Sequence, residues 1–137
     1  MKFNANQQDI QKSLNYCQGI IEKRSTLPIL SNVLLNASNS CLTITATDLD
    51  LIFIHKISDV EILEEGLTTT SSSIMYDIVR KISSGKKINF STAGDNKLHL
   101  ESEKSVFNLN CINPSEFPLT DENFNQNEFL IESKKFL

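Results

Sequence analysis

The sequence predicts an α+β fold in which two helices pack on antiparallel β-sheets, built from a duplicated strand-helix-strands unit. Two segments place apolar residues at helical spacing, and seven shorter segments alternate or are rich in β-branched residues. The spacing from strand to helix is also similar in two places. The 137 residues are 39% hydrophobic, which is enough for a single globular domain with its own core.

Residues 8–24 are predicted to form the first helix. Ile10, Leu14, Cys17 and Ile21 are spaced by three or four positions, as expected for the apolar stripe of an amphipathic helix. Pro28 stops the helix because proline disfavours helical geometry at the residue before it and has no amide hydrogen to donate.

The second helix is predicted at about residues 74–83. Ile74, Ile78 and Ile82 follow one another at steps of four, and the serines at 71–73 are good N-capping residues. Gly85 marks the end of this helix.

The remaining apolar segments are predicted to be strands separated by polar turns, one of which is centred on Gly94. Residues 120–127 are polar and are interpreted as a linker. The predicted strands are residues 33–35, 41–46, 51–57, 67–70, 88–90, 98–100 and 106–109.

A faint internal repeat supports the duplication. Phe3 is followed by an apolar residue seven positions later and another four after that, and Leu67 is followed in the same way by Ile74. Phe129 is followed seven positions later by Phe136, as though a third copy began there. Chance matching of so sparse a pattern is the alternative explanation.

The cysteines and the hydropathy pattern indicate the compartment. The three cysteines form no Cys-x-x-Cys pair, so neither a disulfide framework nor a zinc site is predicted. The sequence contains no secretion signal and no apolar run long enough to cross a membrane. A reducing cytoplasm fits these features best.

Charge is unevenly distributed. The net charge is −4, but windows 8–24 and 74–87 hold seven bases and three acids, which leaves six of the 13 bases and 14 of the 17 acids elsewhere. Helices on one side of a sheet would then offer a positive surface to a polyanion, whereas the alternative is that lysines simply solvate helix exteriors. The seven bases are Lys12, Lys23, Arg24, Arg80, Lys81, Lys86 and Lys87.

Common catalytic signatures are missing from the sequence. The Walker lysine loop, Gly-x-Ser-x-Gly and His-Glu-x-x-His motifs are absent. His55 and His99 lie in predicted strands and are expected to be structural or solvent-facing. Asp48 and Asp50 lie at a strand break, where a turn role is favoured over a metal site. No enzymatic activity, cofactor or metal is therefore predicted.

Several motifs then match one family in order and spacing. They are residues 1–3 (MKF), 24–30 (RSTLPIL), 45–50 (TATDLD), 76–80 (YDIVR), 107–109 (FNL) and 116–118 (EFP). In these motifs the chain resembles the β subunit of bacterial DNA polymerase III. The resemblance implies the DNA-clamp fold and a non-catalytic processivity factor for replication. Two subunits of three similar domains would close head-to-tail around duplex DNA, with helices lining the hole.

The resemblance also implies where DNA is contacted. Arg24 matches a DNA contact of the family, and Lys23, Arg80 and Lys81 are its expected neighbours on the inner surface. The contacts would be to phosphates and therefore independent of base sequence.

A subunit contact is implied at the far edge of the domain. Ile74, Lys104, Phe107 and Leu109 match positions that pack against the third domain of a second subunit. The strand at residues 106–109 would then be an edge strand that the partner covers. Phe107 could equally be an ordinary core residue.

Two departures from the family bear on these expectations. Relatives often have a proline and a basic residue where this chain has serines 71–73, so one DNA-facing charge is expected to be missing. The family also continues through two further domains, and the predicted division here is 1–122 for the N-terminal domain and 123–137 for the start of the next. The cleft that takes polymerase III and the clamp loader belongs to those later domains.

Two alternatives to a processivity factor remain. One is a generic α+β interaction module whose basic helices are merely solvated, and the other is a small cytosolic hydrolase.

Overall fold

A computed structural model describes residues 1–21, 28–92, 94, 96–103 and 105–118, and within them two α-helices pack on one antiparallel sheet. Two short 3-10 turns occur at Pro28–Ser31 and Pro114–Glu116. The elements are β1 (Lys2–Asn6), α1 (Gln7–Gln18), β2 (Asn32–Ser38), β3 (Cys41–Thr47), β4 (Ile52–Ile57), β5 (Val60–Glu64), β6 (Gly66–Ser71), α2 (Ser72–Val79), β7 (Lys87–Thr92), β8 (Lys97–Ser102) and β9 (Ser105–Ile112).

The sheet is built from two strand-helix-strands units that exchange their first strands. Its order is β4-β3-β2-β6-β9-β8-β7-β1-β5. β1 opens the first unit but pairs with β7 of the second, and β6 opens the second unit but pairs with β2 of the first. The predicted duplication is confirmed in this form.

The two end strands of this order are neighbours in the chain. β4 and β5 are separated by Ser58 and Asp59, and each pairs with a different strand, β3 and β1 respectively. In the second unit a single strand, β9, takes the place of the pair β4 and β5. One part of β9 pairs with β8, and the other part pairs with β6.

The repeat predicted from spacing was wrong by one position. Leu67 and Ile74 are 47% and 53% exposed, so neither is the counterpart of the buried Phe3 or Ile10. The buried apolar residues of the second helix are Met75 and Val79. The units superpose in sequence when β1 is aligned with β6 and Gln7 with Ser72, the first residues of the two helices.

Both helices are shorter than the periodicity predicted. α1 ends at Gln18, with Gly19 as its C-cap, although Ile21 still packs in the core. α2 ends at Val79, and Gly85, which the sequence placed after the helix, adopts a φ of +87° in the following turn. An apolar residue in the turn after a helix can still be buried in the core, and it then continues the apolar spacing beyond the helix end. Helix length predicted from this spacing is therefore too long.

The residue preferences of the sequence correctly predicted the start of α2 but did not predict the strand β5. The Ser71 hydroxyl accepts a hydrogen bond from the Ile74 amide at 3.3 Å, which confirms the predicted N-cap. Val60–Glu64 was not predicted as a strand because its glutamates are unfavourable in sheets. It forms a strand through non-local pairing with β1.

The core fills the space between the helices and the sheet. Phe3 of β1 stacks on Phe90 of β7 with ring centroids 4.6 Å apart, at the seam where the units exchange strands. Ile10 and Leu14 of α1 and Met75 of α2 belong to the same cluster. The predicted linker, the boundary at residue 122 and the predicted third copy lie outside the described residues.

Candidate nucleic-acid interface and subunit contact

The two helices lie antiparallel, side by side on one face of the sheet. The side-chain amide of Gln7, the first residue of α1, donates to the carbonyl oxygen of Val79, the last residue of α2, at 2.8 Å. Towards the other ends of the helices, the Tyr76 hydroxyl donates to the Asn15 side-chain oxygen at 3.5 Å. These bonds fix a common surface formed by both helices.

A polar groove of about 380 Å³ runs between the helices. Gln8 donates from its amide to the Ser84 hydroxyl at 2.6 Å across one end of it. Most of its lining groups are uncharged amides and hydroxyls, which can hydrogen-bond water or a polar backbone, and Lys12 is the one charged residue in the described lining. The described residues that line it are Gln7, Gln8, Gln11, Lys12, Asn15, Tyr76 and Ser84.

Arg80 is the C-cap of α2 and lies at the edge of this helical surface. One guanidinium nitrogen is 3.4 Å from an Asp77 carboxylate oxygen, and the guanidinium carbon is 5.8 Å from the centre of the Tyr76 ring. The Arg80 side chain is 54% exposed, so the ion pair is weak and leaves donors free for another anion. The cation also lies near the negative end of the helix dipole, which stabilises it.

The helices themselves are not basic, contrary to the charge analysis of the sequence. α1 carries Asp9 and Lys12, α2 carries Asp77, and neither helix has a base in its last turn. The cations of the second window follow the helix, beginning with Arg80 and Lys81. For the second window the prediction failed because the window extended past the end of α2 into the following turn, whereas Lys23 and Arg24 of the first window lie outside the described residues.

Three lysines after Arg80 differ in orientation and pairing. Lys81 is exposed directly beyond α2. Lys86 forms a 2.9 Å ion pair with Glu103. Lys87 begins β7 and alternates with the buried Ile88, so it lies on the sheet face opposite the helices. Of these three, Lys81 is best placed to act together with Arg80.

The remaining predictions for DNA contact fall on two other segments. Lys23 and Arg24 lie outside the described residues. The serines at the start of α2 serve the fold, since Ser71 caps the helix and Ser72 is fully buried. The uncharged start of α2 is therefore a structural cap.

The subunit contact was predicted around β9, and one edge of this strand is open. Residues 106–110 pair with β8 on one side, whereas β6 pairs only with Cys111 and Ile112 within the described part of the chain. Ile74 of α2 is 53% exposed and Val106 of β9 is 60% exposed. An open edge beside exposed apolar side chains is the kind of surface that another protein chain covers.

The predicted contact residues on β9 differ in burial. Phe107 is half-buried and packs against the core, and Leu109 is 4% exposed within the core. Leu109 therefore serves the domain interior, and its side chain is not displayed at the surface. Lys104 lies outside the described residues. Val106 was not predicted as a contact residue. It precedes Phe107 in a strand, and successive side chains of a strand point to opposite faces of the sheet, so its position on the face opposite Phe107 could have been predicted.

The histidines and the paired aspartates have structural partners. His55 Nδ1 bonds the Ser13 hydroxyl, and His99 Nδ1 bonds the Asn108 side-chain oxygen across β8 and β9. An Asp48 carboxylate oxygen accepts from the amides of the two residues that follow Leu49, which confirms the predicted turn role. No cluster suited to a metal ion occurs among the described residues.

Neither helix in the described ranges is long and apolar enough to cross a membrane.

Solved structures with the same fold define the class as a DNA-clamp-type domain. The chain matches the pol III beta of Caulobacter crescentus with a TM-score of 0.82 and 34% identity, covering 88% of this chain and 32% of that one. The DNA polymerase III subunit beta of Pseudomonas aeruginosa matches with a TM-score of 0.83 and 27% identity, with the same coverage of both chains. The predicted α+β clamp fold is confirmed.

Sequence comparisons identify the family. The model of the DNA polymerase III beta subunit, N-terminal domain, matches residues 1–121. The beta sliding clamp of Caulobacter vibrioides is 35% identical over 120 residues, covering 87% of this chain, and that of Escherichia coli K12 is 31% identical over 131 residues, covering 96%. The chain belongs to the family of the DNA polymerase III beta subunit, N-terminal domain. It spans 32% and 36% of the lengths of these two relatives.

Proposed function

We propose that the chain is the N-terminal part of a sliding clamp, a non-catalytic processivity factor of DNA replication. The observation that carries this proposal is the joint helical surface of α1 and α2, with Arg80 and Lys81 at its edge, in a domain of the sliding-clamp family. The complete protein would form a head-to-tail homodimeric ring around duplex DNA in the cytoplasm. The present chain would contribute one segment of that ring.

DNA would be held by phosphate contacts from the cations at the helix ends. Arg80 and Lys81 are exposed, and Lys23 and Arg24 follow α1 in the sequence. Arginine and lysine on flexible stems can exchange phosphate partners as the ring moves, so binding would not depend on base sequence. The amide-lined groove between the helices would add water-mediated contacts without fixing the register on DNA.

The second subunit would cover the open edge of β9. Ile74 and Val106 supply exposed apolar surface, and Phe107 extends it into the core. Lys104 remains a predicted residue of the proposed contact. Leu109 is buried, so we propose that it supports the strand from the domain core without touching the second subunit. Backbone pairing along residues 105–109 would remove the unpaired edge.

Polymerase III and the clamp loader would bind the later domains of the complete protein. This proposal rests on the resemblance to the family, in which the partner-binding cleft belongs to the later domains. The proposed division at residue 122 is close to residue 121, where the family match ends. The present chain would therefore support the ring without itself holding those partners.

The encircling mechanism can be tested with the complete protein that contains this chain. We expect retention on nicked circular DNA and loss from the same DNA after linearisation, because a ring slides off free ends. Charge reversal by Arg24→Glu is expected to reduce retention at low salt. Equal retention on circular and linear DNA would favour the alternative, an α+β interaction module whose cations are only solvated.

A further inference from the structure

The guanidinium of Arg80 lies over an aromatic ring of the same helix. Its carbon is 5.8 Å from the centre of the Tyr76 ring, which is within the distance at which a cation is attracted to the face of an aromatic ring. The two residues are four positions apart, and the side chain of a helical residue leans back over the preceding turn. The Arg80 side chain therefore extends back along α2.

The Tyr76 ring is itself fixed by contacts outside α2. It is half-buried and packs against the hydrophobic core. Its hydroxyl donates to the Asn15 side chain of α1, and the side chain lines the groove between the helices. The ring thus offers Arg80 a surface that is held by the core and by the other helix.

Asp77 is the second partner of Arg80, and it differs from Tyr76 in two ways. The Asp77 side chain is 57% exposed, so salt screens its ion pair with Arg80. Its carboxylate also neutralises the guanidinium and competes with any other anion. The ring of Tyr76 carries no net charge, so it can hold Arg80 while the guanidinium binds an anion.

We propose that Tyr76 is a positioning residue for DNA binding, which holds the Arg80 guanidinium beside the surface of the two helices where a DNA phosphate can reach it. This inference rests on the proposed function, because it requires Arg80 to contact DNA. The ring restricts the rotamers of Arg80 before DNA binds, so less side-chain entropy is lost in the complex. Arg80 keeps its full charge for the phosphate.

The first test compares two changes at Tyr76 in the complete protein that contains this chain. Tyr76→Leu keeps a large apolar side chain against the core but removes the aromatic face, whereas Tyr76→Phe keeps the ring and removes the hydroxyl. Fluorescence anisotropy with duplex DNA at low salt is expected to show about two- to fivefold weaker binding for Tyr76→Leu. Tyr76→Phe should bind like the wild type. Equal weakening in both variants would overturn the role of the ring.

A double-mutant cycle separates positioning from a general structural effect. If Tyr76 acts through Arg80, Tyr76→Leu should weaken DNA binding in the wild type but not in an Arg80→Ala background. A loss that persists in that background overturns the proposal. An Arg80→Ala variant that binds DNA like the wild type also overturns it, whereas retention on circular but not linear DNA decides the proposed function separately.

Nuclear magnetic resonance of the 137-residue chain tests the contact without DNA. Protons above the face of an aromatic ring are shifted upfield, so we expect upfield shifts for the Arg80 side-chain protons. The shifts should persist in Tyr76→Phe and disappear in Tyr76→Leu. Ordinary Arg80 shifts in the wild type would contradict the contact, whatever the stability of the variants.

Discussion

The Gln7 side-chain amide and the Val79 carbonyl oxygen, 2.8 Å apart, join the start of α1 to the end of α2. Gln7 is 2% exposed, and its second amide hydrogen bond goes to the Gln11 side-chain oxygen at 2.8 Å. The end of a helix has carbonyls without helical partners, and this bond satisfies one of them. The position of the two helices thus depends on a buried polar side chain.

Removal of this bond should destabilise the domain. For Gln7→Ala we expect a loss of about 2–3 kcal/mol in the free energy of unfolding, because a buried carbonyl loses its partner and a cavity forms. Urea denaturation followed by circular dichroism measures the change. Gln8→Ala is the control, since Gln8 is exposed and should cost less than about 0.5 kcal/mol. Similar losses in the two variants would contradict the role of Gln7.

Gly66 should not tolerate a side chain. A Cβ built on Gly66 would lie 2.7 Å from the Met1 Cβ and 3.1 Å from the Met1 Cα. Met1 is buried, so Gly66→Ala must displace it, and we expect a destabilisation of about 1–3 kcal/mol. Gly19→Ala is the matched change, because its nearest contact is ordinary, at 3.5 Å from the Tyr16 carbonyl oxygen. Thermal unfolding should separate the two variants, and an unchanged Gly66→Ala melting temperature would argue against the close packing.

Neighbouring residues on α2 should have opposite effects. Met75 is fully buried, so Met75→Ala is expected to lower the free energy of unfolding by about 2–5 kcal/mol. Ile74→Asp should leave the stability of this chain nearly unchanged, because Ile74 is half-exposed. In the complete protein the same change should raise the dissociation constant of the dimer, as measured by analytical ultracentrifugation. A dimer unaffected by Ile74→Asp would remove this residue from the contact.

Charge reversal beyond α2 should weaken DNA binding. We expect the double change Arg80→Glu and Lys81→Glu to lower the affinity of the complete protein for duplex DNA. It should also flatten the salt dependence, by about 0.9 in log–log slope for each DNA phosphate that is no longer neutralised. Fluorescence anisotropy at several salt concentrations with two unrelated sequences measures both effects. Lys87→Glu is the control, because Lys87 lies on the opposite face of the sheet. If Lys87→Glu weakened DNA binding equally per charge, the loss of affinity would depend on the net charge of the protein and not on the position of Arg80 and Lys81.

The Cys17 thiol should be protected and should make stability depend on pH. Burial raises the pKa of Cys17 to about 12 from an ordinary value of 9.0. Because the unfolded chain releases this proton first, the contribution to stability is complete below pH 9 and is lost as the pH rises towards 12, by up to about 1.4 kcal/mol per pH unit.

The measurement for Cys17 compares wild type with Cys17→Ala between about pH 8 and pH 10 by urea denaturation. The difference between the two curves isolates the thiol from the lysines and tyrosines. Alkylation of the native chain should also be slower at Cys17 than at the half-buried Cys41 and Cys111. Equal alkylation rates at all three would contradict the burial.

The features predicted best from sequence were those set by neighbouring residues. Ser71 as an N-cap and Asp48 in a turn depend on hydrogen bonds that span two or three positions. The choice between Ile74 and Met75 as the core residue could not be made this way, because both begin an apolar series with steps of four. Packing against the sheet decides it.

The site was predicted unevenly for the same reason. The pairing of Arg80 with Tyr76 and Asp77 follows from helical spacing and could have been inferred. The ion pair of Lys86 with Glu103 brings together distant parts of the chain and gave no signal. The left-handed conformation of Leu49 is likewise set by the closed turn around it, and no residue preference points to leucine there.

The exchange of β1 and β6 between the two units has a consequence for how the domain is made. Neither unit can complete its sheet alone, because the strand beside β2 comes from the second unit and the strand beside β7 comes from the first. We therefore expect the nascent chain to stay incompletely folded on the ribosome until β7 has emerged. One unit expressed by itself lacks the strand that the other unit supplies, and the equivalent first strand of a second copy is the available replacement, so we expect the half-domain to form a strand-swapped dimer.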